Sequence, residues 1–114
     1  MTETELTAER VARNQAAFRE ANEQIEEAAR AYSMNGGLPF ICECSDPSCV
    51  EILRLQLSEY ETVRATPTHF ISAPGHHRAA GSLATVVEQR DGYEIVEKVG
   101  DAAGVAEELD ARSN

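Results

Sequence analysis

Three cysteines constrain this chain more than any other feature. Cys42, Cys44 and Cys49 are its only cysteines, and they are spaced C-x-C-x₄-C in the stretch Phe40-Ile41-Cys42-Glu43-Cys44-Ser45-Asp46-Pro47-Ser48-Cys49. Strand side chains alternate with period two, so Phe40, Cys42 and Cys44 share one face of an extended segment. Beyond the Ser-Asp-Pro-Ser turn residues, Leu53, Leu55 and Leu57 alternate in the same way. If Cys44 pairs with Cys49 across the turn, Cys42 faces Glu51 and Phe40 faces Leu53. All three thiols and the apolar residues then lie on one side of a hairpin. A register slip of one residue would scatter them, so this agreement predicts a hairpin over residues 39–57.

Three thiols converging at a hairpin tip point to a metal. Zinc takes four nitrogen or sulfur ligands in a tetrahedron, and the cysteines supply three. Candidates for the fourth are His76 and His77, in the loop Ala73-Pro74-Gly75-His76-His77, with His69, Glu51 or water as the remaining choices. Three thiolates on Zn²⁺ leave one net negative charge, which backbone N–H groups of the Asp46-Pro47-Ser48 turn can stabilise. A histidine in the fourth place makes a closed structural site, and water makes an open catalytic one. Plain reduced cysteines, a Cys44–Cys49 disulfide switch and an iron–sulfur cluster are the competing readings. The disulfide leaves Cys42 over, and the iron–sulfur reading lacks a histidine close after Cys49. Glu43 falls on the face opposite the thiols and is expected to be solvated.

The rest of the chain frames this hairpin. Residues 7–34 predict one long helix, with Thr7 as N-cap and Gly36-Gly37 as the stop. No Pro or Gly interrupts it, and Glu9/Arg13 and Glu26/Arg30 stand four apart in the favourable order. Val11, Phe18, Ile25 and Tyr32 recur every seven residues, with Asn14, Ala21 and Ala28 on the same seam. That narrow stripe suits either packing on the protein's own sheet or pairing with a partner helix or a second copy. Ser58-Glu59-Tyr60-Glu61 is a capping box with Ser58 as N-cap, opening a short helix to about Ala65 before Thr66-Pro67. Phe70-Ile71 suits an edge strand, and Arg78–Ser82 is expected to be mobile. Leu83 to Val99 predicts a second hairpin at Asp91-Gly92. A three-residue loop with a bulge at Gly92 gathers Leu83, Val87, Tyr93, Ile95 and Val99 better than a strict two-residue turn. Asp101 can cap a weak last helix, Ala102–Leu109, followed by a frayed tail. Tyr60 and Tyr93 are expected in the core with wet hydroxyls, and His69 partly exposed.

Charge narrows the function classes. The net charge is −10, from 10 basic and 20 acidic residues. It is spread as −3 over residues 1–38, −3 over 39–72 and −4 over 73–114. No basic face is available for phosphate backbones, which argues against a nucleic-acid-associated zinc protein, and an anionic membrane is disfavoured for the same reason. The start, Met1-Thr2-Glu3-Thr4-Glu5, lacks the apolar core of a signal peptide, and no run reaches the length of a membrane span. A cytoplasmic location is expected, where clustered cysteines mean metal or redox chemistry more often than disulfides. No Ser/His/Asp signature and no phosphate-cradling glycine loop is present.

With these pieces placed, the chain resembles a family of short, acidic bacterial proteins of uncharacterised function. The resemblance rests on Arg13-Asn14-Gln15-Ala16-Ala17-Phe18-Arg19-Glu20-Ala21-Asn22, on Pro39-Phe40-Ile41-Cys42-Glu43-Cys44 with Cys49, on Ala73-Pro74-Gly75-His76, and on Asp91-Gly92-Tyr93 with Val96-Glu97-Lys98. It runs from about Arg10 to Val99 and favours His76 over His77 as the fourth ligand. It implies architecture and no activity. The expectation is one α+β domain over residues 1–114: a long helix at 7–34, a zinc-stapled core at 38–100, and a weak helix or tail at 101–114. That core holds two β-hairpins in a small antiparallel sheet and a short connecting helix. The expected metal ligands are Cys42, Cys44, Cys49 and His76. The expected function is a non-enzymatic interaction or regulatory module that meets a protein partner or its own copy through the 7–34 helix. A metal-dependent or redox enzyme using the cysteines is the alternative.

Overall fold

A computed structural model describes residues 3–34, 36–44, 46 and 48–108, with helical side chains at Arg10, 13–31 and 103–106 toward the two ends. The chain is an α+β protein. Helix α1 (Glu3–Ala31) leads into strands β1 (Leu38–Ile41) and β2 (Ile52–Leu55), then helix α2 (Leu57–Arg64) and strand β3 (His69–Ser72). A 3₁₀ segment (His76–Leu83) connects to strands β4 (Ala84–Arg90) and β5 (Tyr93–Lys98), and helix α3 (Asp101–Glu108) follows. The strands divide into two antiparallel sheets, β1–β2 and β3–β5–β4. No helix among the described residues is long and apolar enough to cross a membrane.

The first hairpin has the expected register. Phe40 pairs with Leu53 and Leu38 with Leu55, and the Cys42 N–H donates to the Glu51 carbonyl at 3.0 Å. Phe40 and Tyr60 stack with ring centroids 4.3 Å apart. Around them Leu38, Leu53, Leu55, Val63, Ile71, Tyr93 and Ile95 form the larger core, and Cys42 and Cys44 belong to it. A second core of Phe70, Val96 and Ala106 lies across the three-stranded sheet, under α3. Strand β5 therefore buries side chains on both faces, and β3 is the expected edge strand.

Helix α1 departs from expectation. It begins at Glu3, so Thr7 lies within it rather than capping it. It ends at Ala31, where Ser33 takes a left-handed φ of 55°. The Met34 and Ser33 N–H groups return to the Ala29 and Arg30 carbonyls, a Schellman stop that forms before Gly36-Gly37 is reached. The buried seam is Gln15, Arg19, Asn22, Glu26 and Ala29, one position on from the apolar repeat at every step. Phe18 and Ile25 are half-buried, Ala21 and Ala28 are exposed, and Tyr32 is 79% exposed. The physical reason is polar. Arg19 donates to the Pro67 and Ala106 carbonyls, and Asn22 to the Ile41 carbonyl. These are loop, helix-end and strand-edge groups with no ladder partner of their own. The Glu26–Arg30 pair forms at 3.6 Å. Val11 and Glu9 lie outside the described side chains.

Three other elements differ in detail. Helix α2 starts at Leu57 with Gln56 as N-cap, and Glu59 accepts the Gln56 N–H at 2.9 Å. Ser58 is thus inside the helix, and Glu61 instead accepts from Arg30. The 78–82 stretch, expected as a loop, takes 3₁₀ turns with a kink at Gly81. In the second hairpin Arg90 pairs directly with Tyr93 around Asp91-Gly92, and the bulge falls at Val87, not at Gly92. Val87 is the residue left out of register and is exposed. Helix α3 begins at Asp101, the residue expected to cap it, and runs to Glu108; Leu109 and the tail lie outside the described residues.

Candidate metal centre

Strand parity and one turn assemble the centre. Beyond β1, Cys42 and Cys44 continue the extended alternation, and both are buried. The Cys49 N–H donates to the Asp46 carbonyl at 3.1 Å, closing the turn that returns the third thiol. The Asp46 carboxylate accepts from the Ser48 N–H and hydroxyl at 2.9 and 2.7 Å, which fixes this turn and holds the carboxyl below its usual range. Ser45 and Pro47 of the expected turn lie outside the described residues.

The fourth side chain arrives on a type II turn. Ala73-Pro74-Gly75-His76 closes with the His76 N–H on the Ala73 carbonyl at 3.0 Å. Gly75 sits at φ 84°, which that turn requires at its third position and which a side chain strongly disfavours. The turn delivers His76 Nδ1 to 3.4 Å from Cys49 Sγ and 3.6 Å from Cys42 Sγ. The ligand atoms of Cys42, Cys44, Cys49 and His76 all lie within 4.8 Å of one another, so this group could hold a metal ion. The structure separates the other candidates from it. His77 Nδ1 faces Glu94 Oε1 at 3.6 Å, His69 pairs with Glu97 at 3.1 Å, and Glu51 is exposed.

The sulfurs sit among backbone donors. The Ala73 N–H reaches Cys42 Sγ at 3.2 Å, and the Cys44 N–H bonds the same sulfur. The Asp46 N–H bonds Cys44 Sγ, from the turn where such donors were expected. Such bonds stabilise a thiolate. Without a cation beside them, burial outweighs these bonds: it pushes the Cys42 thiol up and the Cys44 thiol up to about 12.

Glu43 is the correction at this site. It does lie opposite the thiols, but that face is interior, and its residue is fully buried. Glu43 Oε2 accepts from Asn22 Nδ2 at 2.9 Å and the Tyr60 hydroxyl at 2.8 Å, while Oε1 accepts the Ile71 N–H at 3.0 Å. The Tyr60 hydroxyl is therefore not wet; Tyr93, likewise buried, donates its hydroxyl to Glu59 at 3.1 Å. Burial raises the Glu43 carboxyl, and its hydrogen bonds and the Arg19 charge oppose that rise. Sequence reasoning also passed over Asn22 and Glu94. Glu94 holds the histidine loop by accepting the Gly75 N–H at 3.0 Å. Neither residue carries a local signal, because each acts on backbone far away in the chain.

Comparison of the chain with protein-family models, with curated proteins and with solved structures finds no match in any of the three.

Proposed function

We propose that the chain is a small zinc protein with a closed, structural Cys₃His centre, working as a non-enzymatic interaction module. The observation that carries this reading is the distance of His76 Nδ1 from two sulfurs, 3.4 and 3.6 Å. Zinc–sulfur bonds of about 2.3 Å and zinc–nitrogen bonds of about 2.05 Å give a tetrahedron whose sulfur–nitrogen edges are about 3.5 Å. Soft thiolates with one imidazole favour zinc among common divalent ions. Four protein ligands leave no open position for a substrate or an activated water, which speaks against a metal-dependent enzyme.

The module's partner surface is the outward face of α1, where Ala17, Ala21, Ala28 and Tyr32 are exposed beside half-buried Phe18 and Ile25. A second chain, another protein or a copy, lies along it. The acidic charge of −10 keeps nucleic acid away. Reduced, metal-bearing cysteines suit the cytoplasm, and the family of short acidic bacterial proteins remains the group to which we assign the chain. Elemental analysis of protein purified without added metal tests the centre: one zinc per chain is expected, and a metal-free protein or a coloured iron chromophore sinks the reading. Solution size then tests self-pairing, with a strict monomer counting against it.

A further inference from the structure

The tripeptide Cys42-Glu43-Cys44 faces two ways. Its thiols enter the Cys₃His group, and the carboxylate between them enters the interface with α1 and α2. Asn22 is the answering residue on α1. Its amide closes the free edge of β1 in both directions: Oδ1 accepts the Ile41 N–H at 2.8 Å, and Nδ2 donates to the Ile41 carbonyl at 2.8 Å and to Glu43 at 2.9 Å. A side-chain amide thus stands where a neighbouring strand would pair.

The rest of the α1 seam is as polar. Among the described side chains, Gln15, Arg19 and Glu26 are buried along it, with Ala29 as the one fully buried apolar member and Ile25 half-buried beside it. Both amide atoms of Gln15 are buried without a hydrogen-bond partner. A helix seated through hydrogen bonds depends on its acceptors being held in position, more than one seated through a broad apolar stripe. The acceptors at its middle are Ile41 and Glu43, and a metal on Cys42 and Cys44 fixes the backbone on either side of Glu43. By contrast, β5 pairs on both sides, and its Val96 packs with Phe70 and Ala106 in a core that holds no cysteine, so β4–β5 has support that does not pass through the thiols.

We propose that metal occupancy controls the seating of α1, with Glu43 and Asn22 as the link. Metal on the cysteines holds Glu43 and Ile41 where Asn22 can bond them. Metal loss lets this segment relax, and α1 lifts from the core while β3–β5–β4 stays folded. This inference rests on the metal reading above.

Hydrogen–deuterium exchange on the full chain tests it, comparing zinc-loaded protein with protein stripped by a chelator under a thiol reductant. Exchange over residues 14–30 is expected to quicken by about tenfold or more on chelation while residues 84–98 stay protected. In Asn22→Ala, zinc stoichiometry stays at one per chain. There α1 exchanges as in the stripped wild type with or without metal, whereas Arg30→Ala leaves the metal response intact. An α1 that keeps its protection in stripped wild-type protein overturns the proposal, as does a chain whose elements all open together. Those results leave the zinc centre standing. A chain that takes up no zinc overturns the metal reading and this inference with it. If Asn22→Ala fails to fold, the wild-type comparison alone decides.

Discussion

The two hairpins of this protein are specified by different means. In β1–β2 one face carries Phe40, Leu38, Leu53 and Leu55, and the thiols of Cys42 and Cys44 continue that face to the tip. Slipping the register by one residue would turn every one of them outward, so alternation alone specifies the pairing. In β4–β5 the central strand is buried on both sides. Alternation there carries little information, and the register is set by the Asp91-Gly92 turn and by a bulge at Val87. The first hairpin follows an apolar face that runs on into its thiol tip; the second follows backbone geometry at its turn. Changes to the metal centre should therefore spare β4–β5, and changes to the turn should spare the metal.

Metal removal is the largest expected perturbation. At free zinc a thousandfold above its dissociation constant, bound metal adds about 4 kcal/mol. Chelation should lower the thermal midpoint by about 15 °C in a domain of this size. Circular dichroism melts would show the loss, and exchange measurements should place it in β1–β2 rather than β4–β5. Equal loss in both hairpins would erase the contrast.

Glu43→Ala comes next. It strands the Asn22 amide, the Tyr60 hydroxyl and the Ile71 N–H in a dry interior. About 3 kcal/mol of stability should go, read by urea denaturation. Gly92→Ala acts at the other end. Gly92 sits at φ 87°, where a Cβ meets no neighbour but the backbone itself is strained. A cost of about 1–2 kcal/mol is expected, with zinc content unchanged.

Lys98→Met is the mildest change and tests the second core, between the three-stranded sheet and α3. Lys98 Nζ lies 3.4 Å over the Phe70 ring centroid and has no hydrogen-bond partner, and Arg19 reaches the same ring at 4.0 Å. Burial drives the amine well below its ordinary range, against the pull of the Glu43 carboxylate. The unfolded chain then binds one more proton than the folded chain between the lowered value and the free lysine value. Wild-type stability should therefore rise with pH across that window. Replacing the amine with Met should flatten this slope and add about 1 kcal/mol near neutral pH. A slope unchanged by the substitution would show that another group sets it.

What the sequence disclosed follows the same division. The thiols, Phe40 and Leu53 could be read together because they are close in the chain and bound by period two. His76 could be read as a candidate because Pro74-Gly75 announces a turn, and its 3.0 Å closing bond is the one such a turn makes. The α1 seam could not be read. Its apolar repeat at Phe18, Ile25 and Tyr32 suggested one inward face, and the helix instead turned Gln15, Arg19, Asn22 and Glu26 inward. The groups those residues satisfy, at Ile41, Glu43, Pro67 and Ala106, are brought near only by the fold. Glu43 was assigned to the correct side of its strand, but nothing local distinguishes a solvated face from one covered by a distant helix.

Zinc-edge X-ray absorption on the purified chain reads the proposed ligand set itself. One zinc per chain is expected, with three sulfur neighbours at about 2.3 Å and one nitrogen at about 2.0–2.1 Å. A Cys42→Ser chain should lose that signature while its β4–β5 hairpin persists. A shell with two or fewer sulfurs, an added oxygen in an open fourth position, or no stoichiometric zinc would contradict that ligand set.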